Sequence, residues 1–478
     1  MAKQRTLILA SIAAAVLAAG GACAGETITA SVNFTNIVGK IRPALHSSGW
    51  SPRSSSRAIQ NDDNAVKALN MTYARTHDWA LINSGQRVID YQYVFPLIDK
   101  DPKDPSNYFF AATDHLIQLS RDVGLQTFYR LGTSIEHTGT VHFNAAMPKD
   151  FDKVAEVFAG IVRHYNEGWA NGKKWNIEYW ELWNEPDGIS NMWCEKGRSP
   201  AYMRDKFVEF FVICLKRLKS EFPDIKVGGP ALCGYKEDYF RAIFKACKEA
   251  GVAPDFISWH YYGSNPASMI NDAARARKFC DQYGFTDCKL IINEWHYLLT
   301  WEGVHGHNSS PDKVKRALNG PSGHNNIDSA AFTLTSLAKF QTSKLDQAYF
   351  YGCAHSGLWG YMDQYKQYNK NWYACKIFGD IVKDFQQICA SSSAVGTVTP
   401  FAVKSADGKK SGLLVVDYRG RGKTLTVAVK GLAETNSVSA IVLDHTHNNA
   451  PCEVDLRDGR LTLTKPDTNS AAFFVKFE

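Results

Sequence analysis

Two short segments of this 478-residue chain end in the same way. YWELWNEPD (179–187) holds Asn184, Glu185 and Pro186, and KLIINEWHY (289–297) holds Asn293, Glu294 and Trp295. In each, an apolar run breaks at an Asn-Glu pair followed by a bulky residue. Two carboxylates brought face to face suit the cleavage of a glycosidic bond. One is protonated and drives out the leaving oxygen. The other is ionised and attacks or stabilises the anomeric carbon. A Glu in apolar, aromatic surroundings tends to keep its proton, and one beside cations tends to lose it. Either Glu alone reads as a structural ion-pair partner. The pair, in matching contexts at two strand ends, points to catalysis.

A scaffold has to bring positions 185 and 294 together. Apolar runs bounded by turn signals lie near 43–48 and at MTYART (71–76), LQTFYRLG (125–132), IEYWELWNEP (177–186), KVGGPAL (226–232), DFISWHYYG (255–263), KLIINEW (289–295) and QAYFYG (347–352). Stretches with apolar residues at three- and four-residue spacing separate several of them, at 153–169, 202–222, 239–251 and 328–341. Strands alternating with helices imply parallel βαβ units. Eight of them imply an α/β fold, a closed (β/α)8 TIM barrel over 40–390, with catalytic residues at the C-terminal ends of the strands. The two Glu-bearing runs are then the fourth and seventh strands, whose ends face each other across the mouth. No GxGxxG follows the first strand, which counts against a dinucleotide-binding sheet. No G-x-S-x-G elbow supports a serine hydrolase. Without an HxH on the first strand or Cys/His pairs at zinc spacing, no metal and no cofactor are expected.

After residue 390 the pattern changes. ASSSAVGTVTP (390–400) reads as a linker, and short alternating segments broken by Gly, Asn and Pro then predict an accessory C-terminal antiparallel β-sandwich over 391–478. Residues 25–39 include TITASVNF, of the same character, and are expected to add a strand to it. Residues 1–24 read as a cleaved signal peptide: Lys3 and Arg5, an apolar stretch from Leu7 to Ala19, then Ala22-Cys23-Ala24. A lipid anchor at Cys23 is the weaker alternative. The expectation is a secreted or periplasmic protein without a membrane span. Its 54 basic and 48 acidic side chains leave +6, too mild a surplus for a nucleic-acid binder. The 11 cysteines become 10 once Cys23 leaves with the signal peptide, and Cys280 and Cys288, flanking a turn, are the best local disulfide pair. His305, His307, His445 and His447 sit in polar loops and read as solvated.

WNIEYWELWNEPD (175–187), DFISWHYYG (255–263) and LIINEWHY (290–297) closely resemble clan A retaining glycoside hydrolases. Among them the sequence is most similar to glycoside hydrolase family 39, the β-xylosidase and α-L-iduronidase family. The resemblance covers roughly 40–390 in organisation, and WYACKIFGDI (372–381) looks like the family's last barrel helix. It implies Glu185 as general acid/base and Glu294 as nucleophile. It implies that Asn184 bonds the sugar 2-hydroxyl, and that His260 and Tyr262 line the pocket wall, Tyr262 beside the nucleophile.

Other residues complete the expected site. Arg75, in YARTHDW, could hold Glu294 ionised or pair with Glu181, and one network could do both. His77, with polar Asp78 beside it, reads as a sugar-hydroxyl ligand. Arg130 carries the same ambiguity as Arg75. Trp295 is expected to lie against a sugar and Trp359 to form the pocket's apolar floor, with Trp183 in pocket or core and Trp259 outside the barrel. The polar loop 300–326 is expected to border the pocket. The substrate expected is an oligo- or polysaccharide, cleaved with retention from one end at a neutral sugar, because HYYGSNP (260–266) offers no cation for a uronic acid. A uronidase, a transglycosylase and a non-catalytic glycan-binding protein are the alternatives.

Overall fold

In the computed structural model, residues 28–478 are described except 50–62, 78, 80–86, 135–146, 189–192, 194, 196, 302–309, 311, 314–316, 319, 353–358, 362–366 and 433–436. The leader at 1–24 with Cys23, and Asp78, His305 and His307, lie outside the described residues.

Eight parallel strands close into a barrel in chain order: β2 (Ser47–Ser48), β3 (Tyr73–Arg75), β4 (Gln126–Leu131), β5 (Tyr179–Leu182), β6 (Lys226–Leu232), β7 (Phe256–Gly263), β8 (Lys289–Tyr297) and β9 (Gln347–Phe350). Ser47 pairs with Tyr349 to shut the ring. β1 (Ala30–Lys40) precedes the barrel and is not part of it. Helices such as Phe151–Asn166, Pro200–Glu221 and Ile327–Phe340 cover the outside. Their starts are written in the sequence: Asp150 accepts from the Lys153 amide and Ser199 from that of Tyr202, each satisfying an amide the first turn leaves open. Among the described residues no helix is long and apolar enough to cross a membrane.

Side chains alternate in and out along each strand, so the barrel interior is built in layers. Tyr73, Phe128, Phe256, Ile291 and Tyr349 pack into an apolar floor, Phe128 lying 5.0 Å from Tyr349 and 5.5 Å from Phe256 between ring centres. Two residues further along, Arg75 and Ser258 form a polar layer, with Glu181 two residues beyond Tyr179. The alternation breaks in β8. Trp259 pairs with Ile292 but His260 pairs with Glu294, so Asn293 is an extra residue in β8. This bulge turns both Asn293 and Glu294 inward and restores the parity after them.

The remaining strands form one curled sheet: β10 (Gln387–Ser393), β11 (Val398–Lys404), β12 (Ser411–Asp417), β13 (Thr424–Lys430), β14 (Val438–Leu443), β15 (Ala450–Pro451), β16 (Asp455–Arg457), β17 (Arg460–Thr464) and β18 (Ala471–Phe477). Its order is β15-β14-β18-β12-β11-β10-β1-β13-β17-β16, a continuous ladder over a core that includes Phe34, Leu413, Val427 and Phe473. β1 lies inside this sheet, antiparallel to β10 and parallel to β13, the single parallel pairing there. The serine-rich stretch expected as a linker is instead parts of β10 and β11. Its serines cap their own hydrogen-bonding groups, Ser391 Oγ accepting from the Ala402 amide and Ser392 meeting Ser31, so a polar composition sits comfortably in a strand. The sheet therefore starts at Gln387, ahead of the expected boundary. Cys280 and Cys288 are adjacent thiols, hydrogen-bonded to each other and not joined.

Candidate active site

Glu185 stands on a turn just beyond β5. Trp183 and Glu185 both adopt left-handed backbone conformations, φ +76° and +46°, a geometry that costs an L-residue roughly 1–2 kcal/mol. Neighbouring strands hold the turn: the Trp183 amide donates to Leu131 O at 2.6 Å and the Glu185 amide to Ala231 O at 2.9 Å. Gly229, at φ +139°, lets β6 pass, since an added Cβ would meet the Leu182 carbonyl at 2.8 Å. Pro186 prevents the strand from continuing. Glu294 reaches the mouth from β8 by way of the bulge.

Arg75 ties the site together. Its Nε donates to Glu181 Oε2 at 2.6 Å, Nη1 to Glu294 Oε1 at 2.6 Å, and Nη2 to Asn184 Oδ1 at 2.8 Å. The two pairings foreseen for Arg75 thus coexist. Tyr262 donates to Glu294 Oε2 at 2.7 Å. His260 Nδ1 lies 2.7 Å from Glu185 Oε1 and 3.4 Å from Glu294 Oε2, so one imidazole nitrogen spans both carboxylates. His77 Nε2 stands 3.5 Å from Glu294 Oε1. Arg75 is fully buried, and Glu294 keeps only 6% of its side chain exposed against 19% for Glu185.

The electrostatics follow from this arrangement. Burial pushes the Glu294 carboxyl above its ordinary range against the pull of His260 and Arg75, with Glu185 adding like charge. Burial also works on Glu185, but His260, with Cys233 and Arg75 adding to it, leaves that carboxyl below its ordinary range. His260 is raised: burial opposes its charge, and Glu294 and Glu185 overcome that. A proton on the His260 ring would lie within a 2.7 Å hydrogen bond of Glu185, the carboxylate that would deliver it. His77 is held well below its ordinary value by burial and by Arg75 and Arg130, so it meets Glu294 as a neutral ring.

Aromatic rings line one side of the mouth. Trp359 packs edge-on against Tyr262 at 5.2 Å and against Tyr351 at 5.7 Å. Trp301, about half exposed, lies 5.7 Å from Tyr262 and 6.4 Å from Trp359. Trp295 is not there. It is fully buried against Phe332, Phe340 and Phe350, between barrel and helices. With Glu294 facing inward, the next residue of the strand has to face outward. Trp183 is likewise core, among Tyr91, Trp193 and Phe210, and Trp259 packs outside against Tyr235 and Phe240. Arg130 is turned away into an ion pair with Asp90 at 2.7 Å.

Several contributors escaped the sequence reading. Ser258 and Asn293 both donate to Glu181 Oε1 at 2.7 Å. Parity along β7 could have found Ser258, two residues before His260. Trp301 follows the nucleophile strand in the loop expected at the pocket's border. Glu185, His260 and Glu294 each offer one ligand atom, all within 4.8 Å, the one such group among the described residues. The Arg75 guanidinium on Glu294 puts positive charge beside this group, which disfavours a cation there.

The profile of glycosyl hydrolases family 39 matches residues 33–298. A β-xylosidase from Geobacillus stearothermophilus is 29% identical over 173 residues, 32% of this chain and 32% of that enzyme, so the match spans about a third of the relative's length. In fold, the chain resembles a glucosidase from Croceicoccus marinus, with 20% identity, TM-score 0.72, and coverage of 95% of this chain and 100% of that one. It also resembles a family 51 α-L-arabinofuranosidase from Thermotoga petrophila RKU-1, with 15% identity, TM-score 0.64 and the same coverage.

Proposed function

Because the chain belongs to glycosyl hydrolases family 39, we propose that it is a retaining glycoside hydrolase in which Glu294 is the nucleophile and Glu185 the acid/base. The observation that carries this reading is the convergence of Glu185, His260 and Glu294 within 4.8 Å at the barrel mouth. A separation this small leaves no room for a water between carboxylate and sugar, as an inverting enzyme requires.

Each residue then has a task. The His260–Glu185 pair delivers its proton through Glu185 to the glycosidic oxygen as the bond to the anomeric carbon breaks. Glu294 forms a bond to that carbon. In the second step Glu185 takes a proton from water, whose oxygen displaces Glu294. Two displacements at one carbon retain its configuration. Arg75 occupies Asn184 Oδ1, which leaves the amide nitrogen to donate to the sugar 2-hydroxyl. Trp359 and Trp301 supply apolar faces for the ring.

The substrate is a carbohydrate chain, cut at its end at a neutral, xylose-like sugar. The cation that holds the nucleophile favours this: Arg75 is committed to Glu181, Glu294 and Asn184, so it is not offered to a uronic acid. The protein is exported, on the strength of the leader at 1–24.

A 2-deoxy-2-fluoro-xyloside with a dinitrophenyl leaving group tests the assignment. Inactivation should go with one covalent label, mapped by peptide mass to Glu294. No label, or a label elsewhere, removes Glu294 as nucleophile, and binding without inactivation would leave a glycan-binding protein. A panel of nitrophenyl glycosides reads the sugar, and greater turnover of a glucuronide than of a xyloside would overturn the neutral-sugar reading.

A further inference from the structure

Below the two glutamates lies a third, and the mechanism just described gives it nothing to do. Glu181 on β5 is fully buried in the barrel. A carboxylate costs several kcal/mol to bury unless its surroundings compensate it. Among the described residues three donors face it: Arg75 Nε at 2.6 Å on Oε2, and Ser258 Oγ and Asn293 Nδ2, each at 2.7 Å, on Oε1. Two of these donors lead to the nucleophile. Arg75 holds Glu294 by another nitrogen of the same rigid fork, and Asn293 is the bulge residue that turns Glu294 inward.

Resting on the retaining-hydrolase reading, we propose that Glu181 is a positioning residue for Glu294, fixing the β8 bulge through Asn293 and setting through Arg75 how much positive charge the nucleophile faces. Arg75 is one cation shared by two carboxylates. Glu181 takes part of its field and anchors its plane, so Glu294 is held in place yet not fully neutralised. A nucleophile facing the whole charge would be more easily ionised and less reactive. The other groups facing Glu294 are His77 from the end of β3, Glu185 from the turn after β5, and His260 and Tyr262 from β7. Glu181 itself faces Arg75, Ser258 and Asn293, with Tyr349 of β9 beyond.

Glu181→Gln and Glu181→Asp separate charge from packing. Gln keeps the shape and loses the charge. Asp keeps the charge and withdraws it from Arg75 by one methylene. The acid limb of kcat/KM against pH reports ionisation of Glu294 in the free enzyme. It should move to lower pH in both variants, by about one unit in the Gln form and less in the Asp form. The plateau should drop about tenfold or more as the nucleophile loses its anchor. A merely structural role would lower activity or thermal stability and leave the limb in place. If Gln does not fold, the Asp limb alone decides. Wild-type labelling at Glu294 combined with an unmoved limb in a folded variant overturns the role of Glu181 and leaves the hydrolase reading standing. An unlabelled wild type overturns both.

Discussion

The Tyr262 hydroxyl donates to Oε2 of Glu294 at 2.7 Å, the oxygen opposite the one that Arg75 holds. A hydrogen bond to the charged form favours that form. Burial already places Glu294 above the ordinary carboxylate range. Activity needs the ionised group, so it is present above that pKa and lost as pH falls through it. Tyr262→Phe removes a stabilising donor, raises the pKa, and should move the acid limb of kcat/KM up by about one unit. This is opposite to the shift expected from Glu181→Gln, and a limb that stays or falls would contradict the bond's role.

Glu185→Ala should sort substrates by their leaving groups. A xyloside with a poor leaving group loses its proton donor, at a cost of about 10²–10⁴-fold in kcat/KM. A dinitrophenyl xyloside needs no proton and should keep most of its kcat/KM. Azide should raise its kcat by intercepting the glycosyl-enzyme, giving a product of unchanged anomeric configuration. Equal loss on both substrates would make Glu185 structural.

The two tryptophans at the end of the nucleophile strand should behave oppositely. Trp295 is packed between barrel and helices, so Trp295→Ala should lower stability by about 3–5 kcal/mol, read as an earlier denaturant midpoint. Trp301 is about half exposed. Trp301→Ala should leave the midpoint nearly unchanged and raise KM several-fold. The reverse pattern would return Trp295 to the sugar.

Arg419 is one of the side chains by which the C-terminal sheet reaches the active-site loops. Arg419 donates to Asp328 at 3.1 Å and to the Tyr297 hydroxyl at 2.8 Å, and Tyr297 in turn donates to Ser322 O at 3.0 Å. Tyr297 is three residues beyond Glu294, and Ser322 is near His324, whose ring lies 4.6 Å from Trp359. Asp328 also accepts from Ser470 and Ser322, so it stays partly compensated. Because Arg419 is about a third exposed, Arg419→Ala should cost about 1–2 kcal/mol in thermal or denaturant unfolding. KM for a xyloside should rise with it. An unchanged KM would make the contact purely structural.

What the sequence disclosed depended on how local the signal was. The eight runs could be read because each carries its own hydrophobic pattern and turn residues, and Glu185 and Glu294 because each stands at a strand end in a recognisable context. The bulge at Asn293 left no such mark. Strict alternation from Ile291 would have sent Glu294 outward and Trp295 inward, and the pairing of β8 with its neighbours β7 and β9 shows otherwise. Arg75 could be narrowed to two partners, Glu181 and Glu294. That it serves both at once depends on three strands meeting, which no single segment encodes. The serine-rich stretch misled because its composition says linker, and its strand character comes from hydrogen bonds with β1, more than three hundred residues away.

That same β1 constrains the order in which the protein can be made. Ser31 meets Ser392 across 361 positions, and Thr29 meets Thr426 across 397. The strand emerges first and has neither neighbour until nearly the whole chain exists. At about 10 residues per second of synthesis, it waits roughly half a minute as an unpaired edge of the kind that joins foreign strands. Successive barrel strands can pair as they emerge, although Ser47 shuts the ring only once Tyr349 has been made. The strands made after the barrel thus serve one made before it, and a chain stopped after the barrel would leave β1 without its neighbours.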